Sequence, residues 1–386
     1  MKRTVAILLT VFLLTSVIFP YEVETGRAVS NNEYVIKSSV RFTASSGHGW
    51  NFTEDDKAIG FYMNTSWQTV TLKNSSHPFE SVKTDEDGNS IAVLNMPDIQ
   101  AGESIEYTIT YDAITKPRNM PNIEESIALP LSGIPQNLSK AYLNNTDTWM
   151  TDNSALRNLA FSLRGNETKV LVIVENYVNW IWNNIAYASH EFPFYPNETL
   201  SSKKGDCDDQ AILLISFCRI VGIPAYLQIG CIYRPNVDNA SSTVWEGHVE
   251  NVQNHIGWHG WAMVYVPPFG WVPVDLTYSS RSSPLAAIET AAVTSQDVVQ
   301  YMDFVQTEYV PEAREYKSFL LTNDFHIWTY DEIALKQGTD PFGFISESLN
   351  RNAVETLLIA GVVVCIAGVL SYVKHRKRKN QENLSA

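Results

Sequence analysis

Residues 207–221 read as a helix whose body, Ala211 to Val221, is apolar almost all round. Such a helix has to lie inside a core, so the fold must wrap other elements about it. Its ends are framed. Asp206 can cap the start, Asp209 adds first-turn charge, Gly222 stops the helix and Pro224 follows. Cys207 is its first residue. First-turn amides and the helix dipole favour a thiolate there, and the same amides can donate to a developing oxyanion. Asp206, Asp208 and Asp209 pull the other way, because nearby negative charge raises a thiol pKa.

Strands follow the helix at 225–233, 261–266 and 271–276, with His259 leading into the second and Asp275 on the third. A thiol, an imidazole and a carboxylate are the parts needed for nucleophilic attack on an amide or ester carbonyl. Loop length decides whether His259 and Asp275 can meet. A two-residue corner at Pro268-Phe269 puts them on opposite faces, and an odd corner puts them on the same face. Pro267 and Pro268 cannot donate ladder hydrogen bonds, so an odd, irregular corner is expected. His255-x3-His259 has metal-pair spacing, but Gly257 and Trp258 argue against a helix, and on a strand the two would lie about 13 Å apart. No metal and no cofactor is expected. His190 and His326 are read as ordinary surface or core residues.

Upstream, 34–42, 69–72, 90–94 and 104–111 alternate like strands, with a turn at Asp85-Glu-Asp-Gly-Asn89, and suggest a β-sandwich. Residues 118–165 form a connector. A helix is expected over 170–182, and the mixed segment after Ser279 is expected to hold one helix, Ser295 to Phe304.

Both chain ends are apolar. Lys2 and Arg3 precede an apolar run, so residues 1–22 read as a signal peptide or signal anchor. The run from Thr356 to Val373 spans roughly 27 Å as a helix, close to the hydrocarbon core, and five bases follow it at 374–379. The expected topology places the middle of the chain outside the cell and the basic tail inside. Of 386 residues carrying net charge −14, the exported part holds 21 basic against 40 acidic, which argues against nucleic acid as a partner. Sequons at Asn51, Asn64, Asn74, Asn137, Asn144, Asn166, Asn197 and Asn239 suit an exported glycoprotein. Four cysteines make no disulfide framework. Cys207 and Cys218 are about 16 Å apart on one helix, a Cys218–Cys231 bridge stays open, and Cys207 is the odd thiol.

Gly205-Asp-Cys207-Asp-Asp209, Gly222-Ile-Pro-Ala225, His259-Gly-Trp261 and Trp271-Val-Pro-Val-Asp275 resemble, in order, the pattern of the transglutaminase-like superfamily, a branch of the papain-like cysteine fold. The resemblance runs from about Thr168 to Tyr278. Met263 departs from it, standing where relatives often carry an acidic residue. It implies an α+β fold, in which a buried Cys-bearing helix packs on an antiparallel sheet. It also implies a Cys207–His259–Asp275 triad and acyl-enzyme chemistry. The expected organisation is a leader at 1–22, a β-sandwich domain at 23–117, the connector at 118–165 and a transglutaminase-like domain at 166–335. A stalk at 336–353, a transmembrane helix at 354–373 and a cytoplasmic tail at 374–386 follow. The expected function is a membrane-anchored surface cysteine protease or acyltransferase acting on protein or peptide substrates outside the cell. The alternative is an inactive scaffold for adhesion or envelope assembly.

Overall fold

The computed structural model describes residues 31–337, apart from residue 119. The leader, the apolar segment at 354–373, the basic tail and nearly all of the stalk lie outside the described residues. Among the described residues no helix is long and apolar enough to cross a membrane.

Six strands come first: β1 (Asn32–Thr43), β2 (Ala58–Gly60), β3 (Gln68–Ser75), β4 (Phe79–Thr84), β5 (Ser90–Leu94) and β6 (Ser104–Thr115). Helices α1 (Gln136–Tyr142), α2 (Ser154–Arg164), α3 (Val170–Asn184), α4 (Pro196–Ser202) and α5 (Cys207–Ile220) follow. The short strands β7 (Ala186–Tyr187) and β8 (Lys204–Gly205) lie among them. The rest comprises β9 (Ala225–Tyr233), β10 (Ala240–Val244), β11 (Val249–Asn254), β12 (Ile256–Val266) and β13 (Gly270–Val274). Then come α6 (Ala286–Glu289), β14 (Val298–Phe304), α7 (Tyr309–Asn323) and β15 (His326–Gln337).

The result is an α+β fold whose sheets are mainly antiparallel. A six-stranded sheet runs β10-β11-β15-β1-β6-β3, a four-stranded one β13-β12-β9-β14 and a three-stranded one β2-β5-β4. The β-rich segment 23–117 does not close on its own strands, because β15, from the far end of the described chain, lies between β11 and β1. Main-chain bonds along twelve-residue strands therefore tie the two ends of the described chain together.

All 14 residues of α5 are buried. Strands β9 and β12 cover one side, and α2, α3 and α4 cover the others. Leu213, Leu214, Ile215 and Phe217 have no exposed surface. Each contributes roughly 1.5–3 kcal/mol of hydrophobic stabilisation. Arg219 fixes the far end of the helix. Its guanidinium donates to the carbonyls of Ala225 (2.8 Å) and Val305 (2.9 Å) and lies over the Trp149 ring at 4.4 Å. Cys207, Cys218 and Cys231 are all free thiols, so no Cys218–Cys231 bridge forms.

The helix expected at 295–304 is a strand. Val298, Tyr301, Met302 and Val305 have helical spacing, but β14 is buried on both faces and shifts register between Gln300 and Met302. A bulge breaks the two-residue alternation, and what remains imitates a helix period.

Candidate active site

Val266 pairs with Gly270, which leaves a three-residue corner between β12 and β13. This is the odd loop expected from the two prolines. The register sets Asp275, just past the end of β13, opposite Trp261, and Trp261 shares a side of β12 with His259. His259 Nε2 and Asp275 Oδ2 lie 2.8 Å apart, with both side chains buried.

Asp275 is held on every side. Its Oδ1 accepts from the amides of Thr277 (3.1 Å) and Tyr278 (2.8 Å), and its Oδ2 also accepts from the amide of Ala292 (3.1 Å). Burial pushes this carboxyl up. Attraction to His259, the hydrogen bond from it and the Tyr278 and Ala292 amides outweigh that and hold it below the usual carboxylate range. A carboxylate only accepts, so Nε2 carries the proton and Nδ1 is left as the bare, basic nitrogen. The ring sits between Trp261 and Tyr278, with centroids 5.8 Å from each. Gly230 faces His259 on β9. A Cβ there would come within 2.7 Å of the Val299 carbonyl and 2.9 Å of the Trp261 ring.

Cys207 opens α5 and is 9% exposed. The backbone of Gly260, the residue after His259, acts to lower the thiol's pKa. Helix α5 packs against β12, the strand that carries His259, and no hydrogen bond joins Cys207 to His259 directly. Burial pushes the thiol well above its ordinary range. Asp208 and Asp206 push the same way, and the Gly260 backbone opposes them. The tension between helix start and acidic collar thus resolves toward a neutral resting thiol.

The collar is ordered. Asp209, fully buried, accepts from the amides of Asp206 (3.2 Å) and Phe194 (2.6 Å) and faces His190 Nδ1 at 2.9 Å. Gly205 makes this possible, because a Cβ there would meet Asp209 Cβ at 2.7 Å. Asp208 accepts from the Tyr309 hydroxyl at 3.0 Å. Oxygens of Asp206 and Asp208 and the Cys207 sulfur lie within 4.8 Å of one another. Burial, then Asp209 and Asp208, raise the Asp206 carboxyl well above its usual range. Sequence reasoning missed His190, which pairs with Asp209 and stacks on Phe194 at 3.7 Å. No local signal marks it, since only the loop that folds back over α5 brings it there. His255 sits in a left-handed turn (φ 53°) before β12, so it shares no helix face with His259.

Other buried carboxyls set the response to pH. Burial raises Asp331 to about 6, Asp303 to about 7 and Glu312 to about 9. Unfolded carboxyls titrate near 4. Between about pH 4 and pH 9 the folded chain therefore binds more protons than the unfolded one, and stability falls as pH rises. Asp275 has the opposite sign, but its loss lies below the ordinary carboxylate range. Thermal unfolding is expected at least ~3 °C higher at pH 5.5 than at pH 8.5. A midpoint that rises with pH over this range would contradict the burial assigned to these groups.

Residues 157–276, which contain Cys207, His259 and Asp275, match the family described as the transglutaminase-like superfamily. Among solved structures, a candidate cysteine protease from Cytophaga hutchinsonii is similar at 17% identity, with a TM-score of 0.50. The match covers 80% of this chain and 92% of that one. EGTA-treated LapG of Legionella pneumophila matches at 19% identity over 46% of this chain and 82% of its own, with a TM-score of 0.25. A candidate protease from Parabacteroides distasonis matches at 14% identity over 66% and 64%, with a TM-score of 0.24. The first likeness supports the fold, and the other two carry no weight. No curated protein matches.

Proposed function

We propose that this chain, whose residues 157–276 carry the transglutaminase-like core, is a cysteine enzyme acting on amide carbonyls of proteins or peptides outside the cell. Cys207 is the nucleophile, His259 the general base and acid, and Asp275 the residue that orients His259. The observation that carries this reading is the buried His259–Asp275 pair, with His259 on the strand against which the Cys207-bearing helix α5 packs. The resting thiol is neutral, so attack is coupled to proton transfer. Sulfur bonds to the carbonyl carbon while His259 Nδ1 takes the thiol proton. The Cys207 amide, at the start of α5, would donate to the oxyanion. His259 returns the proton to the leaving amine, and water resolves the thioester. An amine in place of water would give cross-linking. Hydrolysis is favoured, since the sequence carries no separate acceptor-binding feature. The apolar run at 354–373 with its basic flank supports anchoring of the enzyme at the cell surface.

The raised Cys207 thiol favours a second reading, an inactive scaffold on the same fold. Full-length protein incubated with casein and a labelled primary amine separates the outcomes. Casein fragments are expected. Amine incorporation without fragments would replace hydrolysis by cross-linking. Neither product, together with iodoacetamide labelling of Cys207 that is no faster than a model thiol and indifferent to His259→Ala, would leave the scaffold.

A further inference from the structure

Strands β11 and β15 run parallel, with Val249 beside Ile327. One residue earlier, His248 precedes β11 and His326 opens β15. Their rings stack at 4.5 Å with only 9° between the planes. Each ring reaches across to the other strand's backbone. His248 Nδ1 lies 2.9 Å from the Phe325 carbonyl, and His326 Nδ1 lies 3.3 Å from the Gly247 carbonyl. A carbonyl only accepts, so both Nδ1 atoms carry the proton and both neutral rings keep a lone pair on Nε2. Backbone carbonyls fix metal-ligating histidines in the same tautomer. Asp324 completes the group, with Oδ1 3.4 Å from His326 Nε2.

We propose that His248, Asp324 and His326 bind one divalent transition ion of the Zn2+ class. One ligating atom from each residue lies within 4.8 Å of the others. A tetrahedral zinc with bonds near 2.0–2.2 Å needs ligand atoms about 3.3–3.6 Å apart. The stacked rings lie in nearly parallel planes, so binding requires one imidazole to tilt until both ring planes meet at the ion, and Asp324, 70% exposed at its side chain, turns to complete the set. Two imidazoles and one carboxylate suit zinc, copper or nickel and offer too few oxygens for calcium or magnesium. Three protein ligands leave the fourth position to water. The approaches to the cluster are fixed. Trp245 (φ 53°) and Glu246 (φ 58°) precede it in left-handed conformations, and Asp324 (φ 52°) is the left-handed cap of α7. The ion would tie the start of β11 to the end of α7. The rival is an exposed His326–Asp324 ion pair, which is weak and needs no metal.

Titration of full-length protein with Zn2+ tests this, in a Cys207→Ser background that removes the thiol as a competing ligand. Zn2+ is expected to raise the unfolding temperature of the parent. His248→Ala and His326→Ala should each weaken binding by about 10-fold or more and abolish the thermal shift. Asp324→Asn, at an exposed position that leaves the fold intact, should weaken it measurably. Calcium should have no effect that depends on these residues. A parent that Zn2+ does not stabilise, or a shift of equal size in His326→Ala and Asp324→Asn, would overturn the assignment.

Discussion

Cys207→Ala is expected to lower amide hydrolysis or transfer by about 10⁴-fold or more, while leaving the protein folded. The size follows from chemistry, since removing the nucleophile of a catalytic unit costs about as much as removing the whole unit. The preserved fold follows from the surroundings. Cys207 is a small side chain, 9% exposed at the start of α5, so its loss to alanine empties little space. A stability change within about 1 kcal/mol is expected, the range of substitutions that open no cavity and strand no charge. Near-complete loss of turnover with an unchanged unfolding curve is therefore the signature of a nucleophile. Turnover retained above a tenth of wild type would remove Cys207 from the reaction. A parallel loss of turnover and stability would instead make Cys207 a packing residue.

The features legible in the sequence are those set by local rules. Helix α5 could be read because Asp206, Gly222 and Pro224 frame an unbroken apolar body. The His259–Asp275 meeting could be read because strand parity and two prolines fix the side on which each residue falls. Three features could not be read. The helix expected at 295–304 failed because the bulge in β14 erased its alternation. Helix α7 was not anticipated, although Asp324 ends it with a left-handed cap. The place of β15 between β1 and β11 depends on pairing across almost the whole described chain, which no local pattern encodes. The same distance hid the chemistry of the other histidines. His190 meets Asp209 through a folded loop, and His248 meets His326 through a parallel ladder. In isolation His190 and His326 had looked ordinary, and His248 had looked only like a rival to His259.

Asp275→Asn and Asp275→Ala should fail in different ways. The asparagine is nearly isosteric, yet neither orientation of its amide satisfies the site. With the oxygen toward Thr277 and Tyr278, its NH2 group faces the donors His259 Nε2 and Ala292 N–H. Flipped, the NH2 group faces the Thr277 and Tyr278 amides. In the first orientation His259 must move its proton from Nε2 to Nδ1, the position that should receive the thiol proton. Turnover should then fall by about 10³–10⁴-fold, the size of effect a wrong tautomer produces. Asp275→Ala removes the acceptor altogether. Three backbone amides and the imidazole lose their partner inside the core, at about 1–3 kcal/mol for each group left unsatisfied. Admitted water recovers part of this, so a net loss of about 3–5 kcal/mol is expected, as when one member of a buried pair is deleted. Chemical denaturation with parallel turnover assays separates the two. The asparagine variant should be folded and silent, and the alanine variant should be silent and markedly less stable. Asparagine activity within tenfold of wild type would mean that the carboxylate does not set the His259 tautomer, and the site would then work as a Cys207–His259 dyad.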